Sequence, residues 1–226
     1  MIHMFTNKPH QNIFNQNYKY FIFENNYSSQ VKPAKLASFI LKKEKNIINQ
    51  TKEEYIKFIE KNPTWVDGAT GLGDNSLTSR SPLYNLVEFK ETQHLKKIIK
   101  NAHLDFMKEL NLTYEDNLYI QCWANVMRKG EEIKKHSHSI NNYDYLSGHI
   151  CIQTTNTNTY YLEPYHKERF ILKNNPGNIT LFPSWVEHFT DKVLDNKERI
   201  TIAFDLRDSQ SIKDIYPNMR KHWSKI

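Results

Sequence analysis

The sequence predicts an α+β fold: a double-sheet jelly roll or barrel, with N-terminal helices bracing one sheet face. Three observations predict it. Helical periodicity is confined to the first half of the chain, and from Leu118 onward short alternating segments with turns between them take over. Helices first and strands later is an α+β order. Many short strands at this spacing suggest two packed sheets or a closed barrel.

Residues 1 to about 30 are rich in Asn and aromatics without a sustained period, and are expected to form loop with one strand over Tyr18–Phe23. Residues 33–62 read as helical. Pro33 suits a first helical turn, Leu36, Phe39 and Ile40 recur at helical spacing, and Thr51 with Glu54 makes a capping box ahead of Tyr55, Phe58 and Ile59. Residues 63–83 are turn-rich, and a connection of that length is a functional or a mobile loop. Within it, Gly68–Arg80 is a candidate substrate lid. Glu91 to Leu110 is the clearest helix, with Leu95, Ile98, Ile99, Ala102, Phe106 and Leu110 on one face. His94 and His103 on this helix are expected to be surface or boundary residues. Strands are predicted at Tyr119–Arg128, Gly148–Gln153, Thr159–Leu162, Arg169–Leu172, Ile179–Phe182, Glu187–Thr190 and Arg199–Leu206, with a turn at Asn174-Asn175-Pro176-Gly177. The organisation expected is one domain: residues 1–117 as support, 118–207 as the β core, and 208–226 as a C-terminal tail.

Bulk properties exclude several classes. The chain has 226 residues, 38% hydrophobic and 25% charged, enough for one full core. Its apolar runs, such as Phe21-Ile22-Phe23, fall far short of the roughly 20 residues of a membrane span. Met1 to Thr6 lacks the features of a secretory signal, so a cytoplasmic protein with no membrane partner is expected. Cys122 and Cys151 lie in strand-like segments and are expected to be buried free thiols rather than a disulfide framework. The formal charge of +6 comes from scattered lysines with no aromatic interleaving, which reads as solvated surface.

The densest chemical signal is Lys135-His136-Ser137-His138-Ser139. Alternate residues on an extended segment point the same way, so both imidazoles can face one point. His188, at the end of Phe182-Pro183-Ser184-Trp185-Val186-Glu187, follows the pair after several intervening strands. A divalent metal needs neutral imidazoles on one side and open positions on the other, and these three histidines are the candidate ligands. Arg199 then opens a strand that alternates Arg199, Thr201, Ala203, Asp205 on one face with Ile200, Ile202, Phe204, Leu206 on the other. If the apolar set packs between layers, the polar set lines an inner space where a guanidinium would need an anion. The competing reading is an outward-facing, salt-bridging strand.

His136-Ser137-His138, His188 and Arg199 together resemble the 2-oxoglutarate and iron(II)-dependent oxygenase superfamily. Within it, the chain is most similar to a 2OG-Fe(II) oxygenase group of bacteria and phages, a prolyl-4-hydroxylase-like branch. Trp123-Ala124-Asn125, Leu146-Ser147-Gly148, Leu181-Phe182-Pro183-Ser184-Trp185 and Arg199-Ile200-Thr201 carry the rest of the likeness, which spans residues 119 to 207. The resemblance implies a double-stranded β-helix, a jelly-roll variant, and a dioxygenase, most readily a hydroxylase, that uses Fe(II), 2-oxoglutarate as co-substrate and O2. It assigns His136 and His188 to the iron, Arg199 and Thr201 to the distal carboxylate of 2-oxoglutarate, and Asn125 to the co-substrate. Two positions depart from the pattern. The second ligand is usually a carboxylate; here the position is His138, or a neighbouring carboxylate such as Asp144 serves instead. The tyrosine common after the Ser-Gly pair is replaced in His149-Ile150-Cys151-Ile152. The primary substrate stays open between protein side chain, metabolite and nucleobase. The rival expectations are a cupin-type metalloprotein that does not use 2-oxoglutarate and a non-catalytic jelly-roll binding module.

Overall fold

The computed structural model describes residues 2–10, 18–42, 77–80, 85–114, 117–138, 145–162, 169–209, 211–214, 217–220 and 222–226. The strands, in chain order, are β1 (Ile2–His10), β2 (Tyr18–Asn26), β3 (Leu77–Thr78), β4 (Tyr119–Met127), β5 (Leu146–Gln153), β6 (Asn158–Leu162), β7 (Arg169–Lys173), β8 (Asn178–Pro183), β9 (His188–Thr190), β10 (Arg199–Arg207) and β11 (Ser224–Lys225). They form two antiparallel sheets: a major one in the order β1-β2-β8-β5-β10-β4-β11, with β3 also paired to β4, and a minor one in the order β7-β6-β9. This is the predicted jelly-roll architecture, a double-stranded β-helix. Every strand expected after Leu118 is present, with boundaries shifted by at most two residues.

Period-two alternation sets the layers. On β10, Ile200, Ile202, Phe204 and Leu206 join Ile120, Cys122, Ala124 and Val126 of β4 in the main apolar core. Burial of each large apolar side chain contributes roughly 1.5–3 kcal/mol. Helices cover that face: α1 (Ser28–Val31), α2 (33–42) and α3 (Leu95–Glu109). The predicted face of α3 is the one that packs, with Leu95, Ile99 and Ala102 fully buried. His103 differs from expectation. It shares that buried face, 1% exposed, and tolerates it because its Nε2 lies 2.7 Å from the Tyr145 hydroxyl.

The opposite face of the major sheet looks toward the minor sheet, and the inner residues of β4, β5 and β10 line the space between. A smaller apolar cluster includes Ile22, Tyr161, Leu172 and Phe182, and its Phe182 lines that space. Two glycines are required by the geometry. A Cβ on Gly148 would sit 2.4 Å from the Thr180 carbonyl oxygen and 2.5 Å from the Phe204 ring, so β5 can approach β8 this closely only with glycine. Gly177 ends the predicted turn at φ +88°, a left-handed conformation that L side chains rarely adopt. Between Ile200 and Thr201 the pairing of β10 with β5 slips by one residue, a bulge next to Arg199.

The N-terminus contributes two strands, β1 and β2, where one strand was expected; β2 pairs with β8, so the first segment is part of the major sheet. Both cysteines are buried and free. The Thr51 capping box and most of the candidate lid lie outside the described residues. The lid's far end is seen as β3 and Arg80. Among the described residues no helix is long and apolar enough to cross a membrane.

Candidate metal centre and anion pocket

The backbone brings the three histidines together before any side chain is considered. His136 and His188 face each other in an isolated antiparallel bridge, exchanging both hydrogen bonds: His136 N–H to His188 O at 3.1 Å and His188 N–H to His136 O at 2.9 Å. Directly paired residues on one face have neighbouring side chains, and the ring centroids lie 4.3 Å apart. His138, two residues on, points to the same side and is anchored by its N–H to Ser184 O at 2.9 Å. Its ring lies 5.3 Å from that of His136 and 5.1 Å from that of His188. One ligand atom from each of the three falls within 4.8 Å of the others. Asp144, the alternative second ligand, lies outside the described residues.

Each imidazole is oriented by its Nδ1. His136 Nδ1 donates to Lys134 O at 2.8 Å, His188 Nδ1 to Val186 O at 3.0 Å, and His138 Nδ1 to Asp205 Oδ1 at 2.6 Å. Carbonyl oxygens only accept, so the proton of His136 and of His188 sits on Nδ1 and each Nε2 keeps its lone pair. This outer-shell arrangement is the one that holds metal-ligating histidines in a fixed tautomer and ring orientation. Burial, reinforced by neighbouring histidines, pushes His136 down to about 4 and holds His188 well below the ordinary imidazole range. Both are therefore neutral near pH 7, the state a metal requires.

Asp205 is tied in turn by the Ser147 hydroxyl at 2.7 Å. Burial opposes its ionisation, but His138, Arg80 and the Ser147 hydrogen bond outweigh it and hold the carboxyl below the usual range.

Arg199 is 1% exposed, and among the described residues its buried Nε and Nη1 find no hydrogen-bond partner. Burial lowers its pKa, partly offset by Cys151, Tyr161 and Asp191, yet a guanidinium stays charged in proteins. The outward-facing alternative for this strand is therefore set aside: Arg199, Thr201 and Ala203 line a cavity together with His136, His138 and His188. Asn125, which lies opposite Thr201 across β4 and β10, lines it too, and its Oδ1 accepts from the Thr78 hydroxyl at 2.7 Å. All six predicted site residues that fall in the described chain thus meet at one cavity.

Iron(II) and 2-oxoglutarate fit these residues. Three imidazole nitrogens suit first-row metals such as iron, nickel, copper or zinc. A buried guanidinium with unused donors suits a carboxylate, which it can grip with two parallel hydrogen bonds.

Two contributors were not singled out from the sequence. Asp205 was placed on the inner face by alternation, but nothing local marks it as the partner of His138, 67 residues away. His149, in the stretch where the tyrosine is replaced, lines the cavity, and burial, helped by Arg199, pushes it down to about 3. The Arg80 guanidinium lies over Trp123, a lining residue of the cavity, 5.0 Å from the ring centroid.

Residues 149–205 match the family described as "Putative 2OG-Fe(II) oxygenase". That stretch contains His188, Arg199, Thr201 and Asp205; Asn125, His136 and His138 precede it. No curated protein matches the chain. Among solved structures, a Pseudomonas putida prolyl-4-hydroxylase is similar over 82% of this chain and 91% of its own, at 10% identity and a TM-score of 0.52, which shows a shared fold. A 2OG-Fe(II) oxygenase family oxidoreductase from Burkholderia pseudomallei is similar over 67% and 76%, at 14% identity and a TM-score of 0.47. The protein HygX of Streptomyces hygroscopicus, solved with nickel, 2-oxoglutarate and hygromycin B, is similar over 70% and 79%, at 10% identity and a TM-score of 0.46. The family match thus lies within the β core, over about a quarter of the chain, and the likeness to the prolyl-4-hydroxylase is one of fold.

Proposed function

We propose that the protein is an iron(II)- and 2-oxoglutarate-dependent oxygenase that hydroxylates a substrate bound at the rim of the cavity. One observation carries the reading. A buried guanidinium, with two nitrogens that find no partner among the described residues, shares a cavity with three imidazoles whose ligand atoms lie within 4.8 Å of one another. When bound, iron(II) and 2-oxoglutarate supply the activation of O2, with the co-substrate leaving as succinate and CO2.

The residues have separate roles. His136, His138 and His188 hold the ion through Nε2, their Nδ1 positions being occupied by hydrogen bonds. Arg199 receives the distal carboxylate of 2-oxoglutarate, with the Thr201 hydroxyl on the same strand face as a second donor. Asn125, pinned by Thr78, presents its amide NH2 to the co-substrate side of the cavity. His149 stays neutral and adds no charge to compete with Arg199 for the carboxylate. The apolar walls, Phe182 and Ile133 among them, exclude water from the reacting centre.

The test is anaerobic addition of 2-oxoglutarate to iron(II)-loaded protein, followed by O2 and a succinate assay across candidate substrates, with His188→Ala as the blank. A visible chelate band and succinate release are expected. Neither appearing, in protein shown to contain iron, would defeat the reading. The three-histidine ligand set favours one alternative, a cupin-type metalloprotein; it predicts iron binding that 2-oxoglutarate leaves unchanged. The primary substrate is narrowed only by Arg80 and Trp123, which offer a cation and a flat aromatic face.

A further inference from the structure

Three neutral imidazoles would give a divalent ion no compensating charge from within the ligand set. A dication in a partly desolvated site is costly unless an anion is close. Asp205 reaches the ligand set: its Oδ1 is 2.6 Å from His138 Nδ1. It cannot easily turn to bind the ion itself, because the same oxygen also accepts from the Ser147 hydroxyl at 2.7 Å, and Ser147 is held by Ser184 at 2.8 Å. Ser184 in turn carries the carbonyl that anchors the His138 backbone at 2.9 Å. A closed circuit therefore links β10, β5 and the segment after β8 to one ligand, and the carboxylate sits inside it.

We propose that Asp205 is a positioning residue of the metal centre: it fixes the His138 ring with Nε2 toward the ion and supplies, through His138, the negative charge that the three ligands lack. This rests on the metal-centre reading above. Of the three histidines, His138 alone has a charged acceptor; His136 and His188 donate to main-chain carbonyls. A charge-assisted hydrogen bond of this length is roughly twice as strong as a neutral one, and it raises the basicity of the nitrogen facing the metal. His138 is then the strongest donor of the set, and the field at the ion is asymmetric.

The experiment is anaerobic titration of the full-length metal-free protein with Co(II) and Fe(II), alongside thermal unfolding of the same samples without metal. Asp205→Asn keeps the shape and still accepts from His138 and Ser147, so the fold is retained while the charge is lost. Metal affinity is expected to fall about 10- to 100-fold, with Asp205→Glu recovering part of it. In a His138→Ala background, Asp205→Asn should cause no further loss, because the effect runs through His138. A structural role would instead lower the unfolding temperature and weaken metal binding in both backgrounds. Wild-type affinity in a folded Asp205→Asn protein overturns the proposal. So does an equal loss with and without His138, which also decides the matter if Asp205→Asn is unstable. If the wild-type protein binds neither ion, the metal centre itself falls, and this role falls with it.

Discussion

Replacing Arg199 by methionine should stabilise the metal-free, ligand-free protein and destroy co-substrate binding. These are effects of opposite sign from one substitution. Arg199 is 1% exposed, and two of its nitrogens lack partners among the described residues. A buried charge without its counter-ion is a cost to the fold. Exchanging buried ionic groups for apolar ones of similar volume commonly gains about 1–4 kcal/mol. Methionine is flexible enough to fill most of the space. A gain near 2 kcal/mol would raise Tm by about 4–8 °C for a protein of this length, at roughly 2–4 °C per kcal/mol. Binding should move the other way. Truncating one partner of a buried, hydrogen-bonded charge pair costs about 2–5 kcal/mol, a loss of roughly 30- to 5,000-fold in affinity. Calorimetric unfolding of the metal-free protein measures the first effect. Anaerobic titration of 2-oxoglutarate into iron-loaded protein measures the second. At 100 times its Kd, the co-substrate stabilises the wild-type protein by about 2.7 kcal/mol, a shift the variant should lack. A variant less stable than wild type would show that the guanidinium serves the fold. Unchanged 2-oxoglutarate affinity would show that the anion binds elsewhere.

Gly148→Ala should destabilise by about 1–3 kcal/mol or more, read by urea unfolding, because its Cβ would meet the Thr180 carbonyl oxygen, main-chain atoms that cannot rotate aside. His188→Ala should remove metal binding with little change in the far-ultraviolet circular dichroism, since the bridge to His136 is made by backbone atoms; equilibrium dialysis with Co(II) checks it. Acid should weaken the fold through His103, which burial first, and Lys100 second, pushes down to about 4. The unfolded chain takes up that proton near pH 6.5 and the folded chain near 4, so stability is full above 6.5 and falls as pH drops between the two. The loss approaches 3 kcal/mol on the order of 1.4 kcal/mol per unit. Urea unfolding from pH 7.5 to 4.5 should show a shallower slope for His103→Gln than for wild type; parallel slopes would refute the assignment.

The β core was legible because its signals are local. Alternation along Arg199–Leu206 declared which residues face the helices and which face inward, and the turn at Asn174–Gly177 marked where β7 must end. The three imidazoles were legible as a set once spacing and strand phase were combined. Asp205 was only half legible: alternation gave its face, but its partner lies on a segment 67 residues away, and side-chain pairing at that distance leaves no trace in local pattern. The misplacement of His103 has a similar origin. Helical phase puts position 103 beside Leu95, Ile99 and Phe106, and only the Tyr145 hydroxyl from another element makes a histidine acceptable there. β1 was missed because Asn-rich, aromatic segments show no clear period; its pairing with β2 is what makes it a strand.

The strand β10 concentrates the chemistry for a physical reason. Its outer set of Ile200, Ile202, Phe204 and Leu206 is locked into the helix-covered core, so the register cannot slip by one residue without turning four large apolar side chains away from it. The inner set inherits that rigidity. Arg199 and Asp205 are thereby held six residues apart on the same face, about 20 Å along an extended strand at roughly 3.3 Å per residue. The cation lines the cavity, and the anion sits beside His138. Opposite charges on one face could have met each other and cancelled. Their separation along the strand prevents that, and Asp205 is already committed to His138 and Ser147. The same backbone that packs the core therefore keeps the two charges apart, as the proposed role of Arg199 toward a carboxylate requires.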